Sequence, residues 1–226
     1  MSPMNLLRME FDIHHIAVLS RKVPEEHALV RLILSALATP EELENLVKRD
    51  LRIVQRDGLS YYTVKLTAGG KSRISPIDAK TYDAVMNICR EKSGKQRVFD
   101  FSRAEMDEII KKYSPQDRKY NVKKLREAVI EILKDNMLLG DNGYIDDLLA
   151  GTNFENVVDF LYDFHPMYSG MWDMDDDDVA EDFVLTYSEM TGIKDAEKLA
   201  EIIGENVERI EKFLSSKRSG FNFRKI

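Results

Sequence analysis

The chain of 226 residues carries 33 Lys and Arg against 40 Asp and Glu, a formal charge of −7, with 43% hydrophobic residues. That is enough to bury a core, as one large domain or two small ones, and the acidic average argues against a generic coat on nucleic acid. Cys89 cannot close an internal disulfide, and one cysteine with four scattered histidines lacks zinc-ligand spacing, so neither a metal nor a cofactor is expected. No apolar run reaches about 18 residues, and MSPMNLLRMEF lacks the regions of a signal peptide. The expectation is a soluble, cytoplasmic protein without a membrane partner.

Residues 1–23 precede the first predicted helix and are read as an N-terminal arm. Pro24 to Ala38 has apolar residues at helical spacing, with proline and two glutamates in its first turn. Thr39 is a predicted N-cap and Pro40 a first helical residue, so a short helix is expected from Pro40 to Lys48, running into Asp50. From Leu51 the period changes to two. LRIVQRD, SYYTVKL and KSRISPI are separated by Asp57-Gly58 and Ala68-Gly69-Gly70, which predicts a three-stranded antiparallel meander closed by Pro76. Helices follow at about 78–91, 102–113, 122–137, 143–150 and 153–162, with Ser102 and Glu105 matching a capping box. Beyond His165 the acidic run Asp173–Asp178 either opens a helix or stays exposed. It lacks the glycine and terminal glutamate of a calcium loop. The last stretch, AEKLAEIIGENVERIEKFL, reads as two helical segments joined near Gly204. The predicted fold class is α+β, mostly helical, with helices around a small three-stranded antiparallel sheet. The expected division is the arm, a unit over 24–165, and a helical C-terminal extension with an acidic loop over 166–226.

Charge is divided along the chain. Residues 45–126 carry twenty Lys and Arg against ten Asp and Glu, whereas residues 127–190 carry one Lys against seventeen acids. This split predicts one electropositive and one electronegative face.

The order of elements, with four local motifs, resembles the catalytic domain of the tyrosine recombinase (phage integrase) family. TPEELENLVKRDLRI sets Glu42, Leu43 and Asp50 at family positions, with Thr39 where the family has its first arginine. TAGGKSRISPID supplies Lys71 where the family has a catalytic lysine in a tight turn, followed by Arg73 and Ser75-Pro76. NVKKLREAVIEIL sets Arg126 at the second arginine, with Lys123 and Glu127 at the two histidine positions. LLAGTNFENVVDFLY offers Gly151, then Thr152 in place of a histidine, and Tyr162 one residue late for the nucleophile.

Strand cleavage of that kind needs a tyrosine nucleophile, two arginines on the nonbridging oxygens, and acid-base groups, and such parts fail together. Thr39 cannot replace a charge clamp, and Tyr162 is displaced by about 100° around a helix. The resemblance therefore implies a DNA-binding protein of mobile-element origin with Lys71, Arg126 and Tyr162 as remnants of a site. Its expected partner is double-stranded DNA, with Arg49, Lys71, Arg73, Lys119, Lys123, Lys124 and Arg126 as phosphate contacts. Three alternatives stand beside it. One is an interaction protein using the acidic 127–190 surface for a basic partner or for self-association. Another is a winged-helix regulator over Ala28 to Ile74 with Pro40 to Lys48 as reader. The third is an active recombinase with a shifted tyrosine, Tyr162, Tyr168 or Tyr187.

Overall fold

The computed structural model describes residues 3–56, 58–135, 144–150 and 174–216. It is mostly helical with a small antiparallel sheet, as the periodicities predict. In chain order the elements are α1 (Pro3–Ser20), α2 (Pro24–Ala36), α3 (Pro40–Asn45), a 3-10 turn (Lys48–Asp50), β1 (Leu51–Arg56), β2 (Leu59–Ala68) and β3 (Lys71–Ile77). They continue with α4 (Ala79–Ile88), α5 (Arg103–Tyr113), α6 (Val122–Asp135), α7 (Tyr144–Ala150), α8 (Asp177–Thr191), α9 (Ala196–Ile203) and α10 (Val207–Ser215). No helix among the described residues is long and apolar enough to cross a membrane.

The sheet runs β1-β2-β3, with Leu51 opposite Val64 and Val64 opposite Ser75. Ala68 pairs with Lys71 across a two-residue turn in which Gly69 and Gly70 take φ of 54° and 75°. Two consecutive positive φ angles match the right-handed twist of a hairpin and favour glycine at both places. Pro76 lies inside β3, which is an edge strand and tolerates it.

The N-terminal arm expected over residues 1–23 is instead largely the helix α1. Its Ile13 and Ile16 are fully buried in a first core with α2 to α7 and the sheet. Its Phe11 and Val18 enter a second core with α8, α9 and α10. The expected C-terminal extension thus shares α1 with the unit over 24–165 rather than standing apart. A helix buried on two sides carries apolar residues nearly all round, so it lacks the single stripe that marks a surface helix.

Asp12 of α1 is buried and takes two hydrogen bonds from Arg118, Nε to Oδ2 at 2.7 Å and Nη2 to Oδ1 at 2.6 Å. The Tyr120 hydroxyl adds a third at 3.0 Å. Toward the second core, His14 lies 4.4 Å from the Phe183 ring, and His15 stacks on Tyr187 at 5.5 Å. Burial pushes His14 down to about 3 and His15 to about 4. His27, bonded to the Ser20 hydroxyl at 2.9 Å, is lowered by burial to about 4 as well.

The short helix expected to reach Lys48 ends at Asn45. Val47 leaves the helix to bridge Arg97 in antiparallel fashion, and Lys48–Asp50 closes as a 3-10 turn. The acidic run opens α8, with Asp176 as N-cap accepting from the Asp178 and Val179 amides. The helix predicted at 153–162 lies outside the described residues.

Candidate nucleic-acid interface

α2 ends at Leu37, which takes a left-handed φ of 50°. For a residue with a Cβ that conformation costs roughly 1–2 kcal/mol, and it turns the last carbonyls of the helix toward two arginines. Arg73 Nη2, from β3, donates to the Ala36 and Leu37 carbonyls, each at 3.0 Å. Arg126 Nε, from α6, donates to the same Leu37 carbonyl at 2.7 Å. Cations here meet the negative end of α2 and satisfy carbonyls that the helix leaves open.

Glu42 of α3 completes the cluster. Its carboxylate accepts from Arg73 Nε at 2.7 Å and Nη2 at 2.9 Å, and from the Thr39 amide at 2.8 Å. Burial alone would raise this carboxyl; the hydrogen bonds and charge of Arg73, together with those from Thr39, outweigh it and hold the group below its ordinary range. Arg126 is drawn down by burial and then by the neighbouring Arg73 charge. Its two terminal nitrogens have no hydrogen-bond partner among the described residues, so that edge of the guanidinium is free to accept an anion.

Several predicted contacts are brought together around this junction. Lys71 is exposed at the start of β3, in the turn whose Gly69 amide donates to Glu41 of α3 at 2.9 Å. Lys123 and Lys124 are exposed on the first turn of α6, with Lys123 Nζ 3.8 Å from Glu127. Arg49 is exposed in the 3-10 turn, at the other end of α3.

Other predicted contacts are corrected. Arg73 is only 8% exposed and its guanidinium is committed to Glu42 and the α2 carbonyls, so it is not a surface phosphate contact. Lys119 turns its Nζ to the Ser114 carbonyl at 3.3 Å, capping α5. Thr39, at the family's first arginine position, uses its hydroxyl to accept the Glu42 amide at 3.3 Å. Tyr187, one of the shifted-tyrosine candidates, is buried in the second core against Phe183 and cannot reach a strand. Tyr162 and Tyr168 lie outside the described residues, as do Gly151 and Thr152. The reader helix of the winged-helix alternative is six residues long rather than reaching Lys48, with Glu42 and Leu43 buried and the acids Glu41 and Glu44 on its partly exposed side. Among the described residues, no three His, Cys, Asp or Glu side chains are grouped to hold a metal.

Among the exposed cations not predicted as contacts are Arg90, Lys95 and Arg97, in the loop after α4. The signal was present in the run REKSGKQR, whose four basic residues face one acid, but it sits on no motif.

The sequence was compared with known families, proteins and structures. It is 46% identical over 222 residues to an uncharacterized protein of Archaeoglobus fulgidus, covering 98% of this chain and 99% of that one. No family model matches the chain and no solved structure matches it.

Proposed function

This chain belongs to one protein family with that Archaeoglobus fulgidus protein, and we propose that it is a DNA-binding protein resembling a tyrosine recombinase, without strand-cleavage activity. The observation that carries the reading is the meeting of Lys71, Lys123, Lys124 and the free edge of Arg126 around the α2–α3 junction. These groups come from two elements far apart in sequence, β3 and α6, and exposed cations of that kind position a phosphate backbone. The absence of cleavage is supported by the other half of the same junction. Thr39 is spent on a helix cap and Arg73 on a buried carboxylate, so one guanidinium edge remains where the chemistry needs two clamps.

The acidic-surface alternative has less support. Asp175 pairs with Lys80 at 2.6 Å, and Asp177 with Arg209 at 2.8 Å and Lys212 at 3.3 Å, so part of the negative charge is already neutralised within the chain.

The test is fluorescence anisotropy of a labelled random duplex at two salt concentrations, with a K71Q/K123Q/K124Q variant alongside. The native chain is expected to bind with a steep loss in salt, and the variant to bind with a slope shallower by ~0.9 for each phosphate contact removed. No covalent protein–DNA adduct is expected. Absence of binding even at low salt overturns the reading and leaves the acidic-surface interaction protein.

A further inference from the structure

Several cations of the basic region are spent on carboxylates of the same chain. Arg103 pairs with Glu44 at 2.6 Å, Lys111 with Glu108 at 3.0 Å, Lys112 with Glu26 at 2.7 Å, and Lys92 with Asp100 at 3.0 Å. Four exposed cations at the C-terminal end of α3 have no carboxylate partner among the described residues: Arg49, Arg90, Lys95 and Arg97. They come from two segments that the backbone ties together. Val47 bridges Arg97, the Lys48 amide donates to the Gln96 carbonyl at 3.1 Å, and the Arg49 amide to the Gly94 carbonyl at 2.9 Å. Lys48 Nζ reaches the Arg90 and Lys92 carbonyls at 3.3 and 2.9 Å. Asp50, the nearest acid in sequence to Arg49, turns its carboxylate inward to the Val47 amide at 3.2 Å, which leaves Glu91 as the exposed acid of these segments. Four cations thus share this surface with one exposed acid, Glu91, which leaves a net positive patch that favours an anion.

We infer that this patch is a second phosphodiester-binding surface, engaging the backbone of the same nucleic acid as the α2–α3 junction. The inference rests on the DNA-binding reading and extends it. α3, six residues or ~9 Å long at 1.5 Å per residue, lies between the junction and the turn that carries Arg49. That is about three base-pair steps at 3.4 Å per strand, so one duplex can lie along both. The composition of the patch favours phosphate over an acidic protein. Protein interfaces are anchored by buried aromatic and apolar side chains, and none of the exposed large hydrophobic residues, such as Ile53, Leu59 and Ile74, lies within 46–50 or 90–97. Nucleic-acid interfaces are polar and positively charged, as this one is.

The test is a salt series of duplex binding on the full chain with R49Q/R90Q/K95Q, compared with the native chain and with K71Q/K123Q/K124Q. The expected result is a salt slope shallower by ~0.9 per lost contact, ~2.7 for all three, with the circular dichroism spectrum unchanged. Should the triple variant fold poorly, K95Q and R90Q singly are expected to lower the slope by ~0.9 each. A native slope in these variants, with the native chain still binding, overturns the patch alone and leaves the junction as the interface. No binding by the native chain overturns both. Displacement of the duplex by polyglutamate at equal charge concentration, as effectively as by unlabelled duplex, overturns the phosphodiester assignment in favour of an acidic protein.

Discussion

Two places in the interior hold polar groups by opposite means. At the α2–α3 junction, Glu42 and Arg73 keep their charges because each satisfies the other through two hydrogen bonds, with helix-end carbonyls completing the set. At the seam between α1 and α8, His14 and His15 stay neutral among Phe11, Phe183 and Tyr187 because burial makes a charge too costly. A paired interior charge is sensitive to loss of its partner, and a neutralised group is sensitive to protons. The two regions therefore fail under different insults.

Acid separates them with the largest effect. The folded chain holds His14, His15 and His27 below the ordinary 6.5, so below that pH the unfolded chain takes up protons that the folded chain refuses. Stability is full above pH 6.5 and is lost as pH falls toward about 4, at up to ~1.4 kcal/mol per pH unit for each histidine. The depressed carboxyls act in the same direction but later. Asp78, held at about 2 against its burial by Arg31, Thr81 and Ser35, and Glu42 lose their contributions only as pH falls below their unfolded values near 4. Urea unfolding at pH 7.5, 6.0 and 5.0 is expected to show the decline before any carboxyl titrates. A flat profile over that range would contradict the neutral-histidine account.

Next in size is the junction itself. Glu42→Gln leaves Arg73 buried without its counter-charge and is expected to cost about 3–5 kcal/mol at pH 7 in guanidinium unfolding. Its pH profile between 7.5 and 5.0 should keep the native slope. His14→Gln is the converse: it is expected to remove one titrating group, flattening that slope by about 1.4 kcal/mol per pH unit. The smallest effect belongs to the surface. R49Q/R90Q/K95Q is expected to change stability by no more than about 0.5 kcal/mol, because these side chains have no partner to lose. A larger loss would mean that the patch is part of the fold rather than an outward surface.

What could be read in the sequence was local. The Gly69-Gly70 turn, the Ser102–Glu105 capping box and the αL glycine between α9 and α10 are each set by residues within a few positions, and each is where the sequence places it. Arg73 was misassigned because alternation along β3 says only which side of the strand it shares with Lys71 and Ser75. Its partner Glu42 lies 31 residues earlier, and nothing in a periodicity reports such a pairing. The candidate site was legible as a set of positions, namely Lys71, Lys123, Lys124 and Arg126. The commitments of Arg73, Lys119 and Thr39 were not, because a cation or hydroxyl taken up by a distant carbonyl looks the same in sequence as a free one. The patch around Arg49 joins two stretches about 45 residues apart largely through backbone bonds, which carry no side-chain signature.

The placement of α1 has a consequence for synthesis. It is made before the other described helices, yet its Asp12 waits for Arg118, 106 residues later, and its Phe11 waits for Phe183. Until then a segment that is apolar on two sides has nothing to cover it. Closing such long loops comes late in folding, so α1 is covered on both sides only once both later segments have been made.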